Sequence, residues 1–274
     1  MSASLTLPGV IAENPFISEE FHRPTTKLFV WDCLSGSVDI GGIEFCLNRV
    51  ILLLFLSMLL FIGLFFFAFR KPKVVPGKLQ AVMEMGVEFI RQQVVVQMIG
   101  PEGMKFLPFL ATLFFFIFLG NILEVIPGIN FPVNSRVAFP MVLAIVSWVV
   151  YNYVGVKEQG LLGYLKSVLF PPGAPWPIYF LLTPIEFFTV IIVRPITLTL
   201  RLTANMFAGH LLLTLFFLGT ATLLANVVTA TFALFSFALA VVLVGFEIFV
   251  AGLQAFIFSI LTASYIAGAA HPEH

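Results

Sequence analysis

The chain of 274 residues is 60% hydrophobic, bears charge on only 10% of its positions and has a mean hydropathy of +1.06. Soluble domains carry about 25% charged residues, so an ordinary soluble protein is excluded, and a chain with 33 phenylalanines is not a disordered one. Fourteen Lys and Arg balance fourteen Asp and Glu, and zero net charge removes the basic surface on which nucleic-acid binding depends.

In chain order, residues 1–48 read as a polar leader with Glu13, Glu19, Glu20, Arg23 and Lys27. It lacks the cationic start and apolar core of a cleaved signal peptide. Cys33 and Cys46 are too few for a disulfide framework. Residues 49–70 predict the first transmembrane helix: positions 50–69 hold no charge, and twenty helical residues cover about 30 Å, enough for a hydrocarbon core. Residues 77–100 predict an amphipathic helix, with Leu79, Val82, Met83, Gly86, Val87, Ile90, Val94 and Met98 at helical spacing among Lys78, Gln80, Glu84, Glu88, Arg91 and Gln92. Such a helix lies on the membrane surface or packs on another subunit.

Residues 106–156 predict a transmembrane hairpin with spans at about 106–125 and 138–156. Residues 178–270 predict two long, tilted helices forming a second hairpin, because positions 202–246 contain no Asp, Glu, Lys or Arg. After His210 the candidate turn signals are Gly219 and Ala225-Asn226. Residues 271–274 form a short tail. The predicted fold is therefore all-α and polytopic, with about five membrane-spanning helices. Cations concentrate at Arg70, Lys71, Lys73, Lys78, Arg91 and Lys105, with Lys157 and Lys166 in a later loop, whereas the 126–136 loop has only Arg136. The positive-inside rule puts those cationic loops in the cytoplasm, which predicts an N-terminus outside and a C-terminus inside.

Four ionisable residues fall inside the apolar stretches, Glu124, Glu186, Arg201 and Glu247, together with His210 and the amides Asn121, Asn205 and Gln254. Each central charge costs roughly 2.5–3.5 kcal/mol on insertion scales. At about 100° per residue, Arg194 and Arg201 share a face with Asn205, while His210 points the opposite way. Glu247, Ala251 and Gln254 form a stripe on the last helix, with Tyr265 further along, and in a hairpin the two polar stripes are expected to face each other. Arg does not deprotonate, but it favours ionisation of a carboxylic acid beside it. Two aqueous routes separated by Arg201 would therefore move protons by way of such an acid. Two rival readings remain at this level. A self-contained secondary transporter would need internal repeats, and none is evident; a membrane scaffold would pair its charges internally.

The strings RPITLTLRLTANMFAGHLLL at 194–213 and FEIFVAGLQAFIFSILTASY at 246–265, with VPGKLQ at 75–80 and GNILEVIP at 120–127, resemble subunit a of the rotary F-type ATP synthase, over about residues 49–270. The resemblance implies a stator subunit in the plasma membrane with a rotating c-ring, the peripheral-stalk subunit b and the lipid bilayer as partners. It implies that Arg201 faces the ring carboxylate between two offset proton half-channels. Glu247, His210 and Glu124 would serve the outer half-channel, in an arrangement similar to the mitochondrial one, and Glu186 the inner. Asn205, Gln254 and Asn121 would line the path. It implies no cofactor, no metal and no catalytic site in this chain, which has no GxxxxGK[ST] phosphate loop.

Overall fold

The computed structural model describes residues 38–40, 43–45, 49–126, 133–170, 176–224 and 230–270. Cys33, Cys46, Ala225-Asn226 and the 271–274 tail lie outside the described residues. The first described elements are two short antiparallel strands, β1 (Val38–Ile40) and β2 (Ile43–Phe45), with Val38 opposite Phe45. The helices follow: α1 (Arg49–Phe69), α2 (Lys78–Ile90), α3 (Leu107–Ile122), α4 (Ala138–Gln159), α5 (Leu161–Leu169), α6 (Trp176–Phe188), α7 (Arg194–Leu224) and α8 (Ala230–Ala270). A π-helical turn, Arg91–Val96, continues α2, and a second, Thr189–Val193, joins α6 to α7. A 3-10 turn, Pro101–Phe106, leads into α3.

Among the described residues five helical stretches are long and apolar enough to cross a membrane: Val50–Phe69, Pro101–Ile122, Ala138–Gln159, Ile178–Leu224 and Ala230–Ala270. The chain is a polytopic all-α membrane protein. The last two stretches contain 47 and 41 residues. At 1.5 Å per residue each exceeds 60 Å, roughly twice the thickness of the hydrocarbon core. Gly219, a candidate turn, lies inside α7 instead. A single glycine costs a helix only about 1 kcal/mol against alanine, and the apolar run around it continues.

The described residues fall into two compact units, one of 211–224 with 230–244, the other of the residues up to His210 with 245–270. In the smaller unit α7 and α8 are joined by the Thr220 hydroxyl, which donates to Ser236 Oγ at 3.0 Å. In the larger unit α3 is shared by two apolar clusters. One gathers Ile90, Val94, Leu110, Phe115, Tyr151 and Ile266; the other gathers Leu113, Ile117, Leu202, Met206, Val250 and Phe258.

Helix α2 packs on α3, where Gly86 leaves room for the Phe115 ring. Its buried face starts at Gln80 and runs through Met83, Ile90 and Val94, while Leu79 and Val82 of the predicted apolar set are exposed. Gln80 is inward because it binds backbone there: its Nε2 donates to the Lys73 carbonyl and its Oε1 accepts from the Lys73 amide. Helix α4 ends at Gly160, whose φ of 75° and ψ of 160° suit glycine alone. The same end is fixed to α8 by Gln159 Nε2, which donates to the Ala269 carbonyl at 2.6 Å.

Candidate functional site

The site begins with the faces of α7. Between residues 198 and 210 the buried positions are Leu198, Thr199, Leu202, Thr203, Met206, Gly209 and His210, and the exposed ones are Leu200, Arg201, Ala204 and Ala208. Periodicity explains the split: Leu198, Leu202 and Met206 are one turn apart and enter the cluster that holds Val250, Ala255 and Phe258 of α8. Arg201 is thereby turned outward, midway along the Ile178–Leu224 span. None of the ion pairs among the described residues involves it. Asn205, one turn on, is half-buried.

The expected facing of two polar stripes is corrected by this arrangement. Glu247, Ala251 and Gln254 are buried, but Glu247 sits against Gly209, and the α7 residues that cluster with the neighbouring Val250, Ala255 and Phe258 are Leu198, Leu202 and Met206, whereas Arg201 is exposed. Nor do Arg194 and Arg201 share an environment, although they are seven residues apart. Arg194 is half-buried, its guanidinium 4.8 Å from the Tyr265 ring centre and 5.9 Å from that of Tyr151. Two aromatic faces attract that cation inward.

On the opposite side of α7 the structure brings three predicted residues together. Glu124, in the turn after α3, is 1% exposed, His210 5% and Glu247 4%. His210 Nδ1 lies 3.5 Å from Glu124 Oε1, and Glu247 is within electrostatic reach of both. The Glu247 carboxylate sits against Gly209, where a Cβ would overlap it. The absent side chain at position 209 is what admits the acid to the helix surface. Asn121, one turn before Glu124 on α3, accepts a 2.7 Å hydrogen bond from Asn134 Nδ2, and both amides are buried. Glu186, half-buried on α6, is not part of this group: fifteen residues of helix separate it from Arg201, about 22 Å by helical rise. Among the described residues no group of three or more His, Cys, Asp or Glu is arranged to hold a metal ion.

Residues 51–267 match the family model described as ATP synthase A chain. The chain belongs to that family. It is similar to proteins named ATP synthase subunit a from several bacteria. That of Frankia alni is 42% identical over 267 residues, covering 95% of this chain and 90% of the relative. That of Rhodococcus erythropolis is 37% identical over 276 residues, covering 100% and 99%, and that of Streptomyces lividans is 43% identical over 255 residues, covering 93% and 89%.

Three features of this chain were not evident from its sequence. Asn134 stands in a loop without periodicity, so nothing in the pattern pairs it with Asn121. Gly209 lies inside the MFAGH string, yet only packing reveals that Glu247 rests on it. The third is the π turn before α7. Its Val190 carbonyl accepts hydrogen bonds from Trp148 Nε1 at 3.1 Å and Tyr151 Oη at 3.0 Å, so two side chains of α4 hold the start of the arginine-bearing helix.

Proposed function

We propose that this ATP synthase subunit a forms two offset proton half-channels against a ring of c subunits, and that Arg201 separates them. Arg201 supports this reading: it faces outward at the middle of a membrane-crossing helix and makes no ion pair among the described residues. A lone charge there costs several kcal/mol against lipid, so it needs a partner that supplies a counter-charge. A carboxylic acid on a ring helix does so. Beside the guanidinium that acid is ionised; away from it, the acid takes up a proton. Ala204 and Ala208, exposed on the same face as Arg201, allow a partner helix to approach closely, as small residues do in membranes.

Glu124, His210 and Glu247 serve the outer route. They are buried ionisable groups within reach of one another, and among the described residues Asn121 Nδ2 and Glu247 Oε2 have no protein hydrogen-bond partner, as suits groups lining a wet path. Asn205 and Gln254 line the path nearer Arg201, and Glu186, about 22 Å away along the helix, serves the inner route. The membrane potential, worth about 2.3 kcal/mol per charge per 100 mV, drives the charge from one route to the other by way of the turning ring. The subunit sits in the bacterial plasma membrane, N-terminus outside and C-terminus cytoplasmic, held against the ring with the help of peripheral-stalk subunit b. ATP chemistry belongs to the soluble partners.

Cysteine cross-linking tests this placement in the intact complex. A204C or A208C should form disulfides with cysteines introduced along the ring's outer helix, while L202C and M206C, on the buried face, should not. Equal cross-linking from both faces, or from the buried face alone, would remove Arg201 from the ring surface.

A further inference from the structure

We propose that the loop from Arg70 to Lys78 is a binding site for an anionic phospholipid, with its phosphate held by Arg70, Lys71, Lys73 and Lys78 and its acyl chain entering the adjoining apolar cleft. Four cations fall within nine consecutive residues at the end of the first span, and no acid occurs between residues 50 and 83. All four are exposed. A count of cations alone sets membrane orientation, and three further observations point to a ligand.

First, the loop is tied back to α2 at Lys73. The buried Gln80 holds Lys73 through two hydrogen bonds, accepting from its amide at 3.3 Å and donating to its carbonyl at 3.1 Å. Second, Val74 and Val75, between the cations, are almost fully exposed. Two adjacent apolar side chains beside the end of a membrane helix are suited to the headgroup boundary, not to water. Third, a cleft of about 720 Å³ opens beside the loop, lined by Phe69, Pro76, Ala81, Met85 and Val87. Two acids also line it, and both are engaged. Glu84 accepts from Gln80 Nε2 at 2.7 Å, and Glu88 pairs with Arg91 at 3.2 Å. Hydrogen bonds from Gln92 and Arg91 hold the Glu88 carboxyl below the usual carboxylate range. Among the described residues neither acid of the cleft pairs with the four cations, and Arg70 meets only the Phe66 ring, 5.5 Å from its guanidinium, so the counter-charge is left to an external anion. A phospholipid joins a phosphate to an apolar chain in the way this site joins charge to an apolar cleft.

The test uses the intact ATP synthase complex in phosphatidylcholine vesicles containing a few per cent of photoactivatable phosphatidylglycerol, with the labelled peptide mapped by mass spectrometry. Label on the segment 70–91 is expected, displaced by unlabelled phosphatidylglycerol but not by phosphatidylcholine, and weakened by salt. Neutralising K71Q, K73Q and K78Q should lower labelling about fivefold per lysine, about a hundredfold together. The charge-conserving K71R, K73R and K78R should retain it. Equal labelling by a photoactivatable phosphatidylcholine, or labelling insensitive to both salt and the glutamine substitutions, would overturn the proposal. So would loss of a subunit from the glutamine variant with labelling unchanged, which would make the loop a protein-docking surface. The proposal does not rest on the role of Arg201, and proton pumping measured in the same vesicles reports on that role separately.

Discussion

Arg201→Ala is expected to abolish ATP-driven proton pumping while leaving the subunit inserted and the complex assembled. Insertion should not suffer, because the substitution removes a charge that costs roughly 2.5–3.5 kcal/mol at the centre of a span. Packing should not suffer either, because Arg201 is exposed and the apolar contacts of α7 are made by Leu198, Leu202 and Met206 on another face. What is lost is the fixed cation. An opposite charge at close range lowers a carboxyl pKa by about 1–3 units, so without it the ring acid keeps its proton about 10- to 1,000-fold more often where it should release it. Dye quenching in inverted vesicles, with the subunit quantified by immunoblot, measures this. Normal coupled pumping at normal subunit levels would rule out the assignment of Arg201.

Glu247→Leu is expected to slow proton translocation in both directions, since one route feeds the ring whichever way it turns. General acid–base groups contribute about 10²–10⁴-fold, and even with Glu124 and His210 in place a loss of at least tenfold is expected. Glu247→Gln separates charge from shape. It keeps the volume that rests on Gly209 and removes only the titratable proton, so it should be slow as well, whereas Glu247→Asp should recover part of the rate. ATP synthesis and ATP-driven pumping, both normalised to assembled complex, give the two directions. Unchanged rates in the glutamine variant would remove Glu247 from the path.

The spans were legible because the bilayer imposes a length of about twenty predominantly apolar residues, which the stretches 50–69, about 106–125 and about 138–156 come close to on composition alone. The candidate residues stood out for the converse reason, as charges where charge is costly. Their orientation was less legible. A periodicity of 100° per residue places Arg201 and His210 on opposite faces, but it does not say which face meets α8. The cluster of Leu198, Leu202 and Met206 with Val250 and Phe258 decides that, through contacts between positions about fifty residues apart. Arg194 illustrates the same limit, since the tyrosines that draw it inward come from α4 and α8.

Other features depend on local accommodations that leave weak traces. A π turn has no composition of its own, and the one before α7 is held by Trp148 and Tyr151, which read simply as apolar residues of a span. Gln80 appeared as a polar interruption of an amphipathic helix, yet it is buried because Lys73 offers it two backbone groups. The strands β1 and β2 did leave a signal in the leader: Val38-Asp39-Ile40 and Ile43-Glu44-Phe45 alternate in polarity around Gly41-Gly42, a pattern typical of a short hairpin.

If Arg201 keeps two proton routes apart, passive proton conduction should reveal it. In vesicles stripped of the soluble catalytic sector, under an imposed potential and with the ring held by a cross-link to the stator, the unsubstituted complex should not conduct, because protons cross only by way of a turning ring. The Arg201→Ala complex, with the ring held in the same way, should conduct, since no fixed cation then bars a proton from passing between the routes. Absence of conduction in that variant, or conduction through the unsubstituted complex with its ring immobilised, would mean that Arg201 is not what separates the routes.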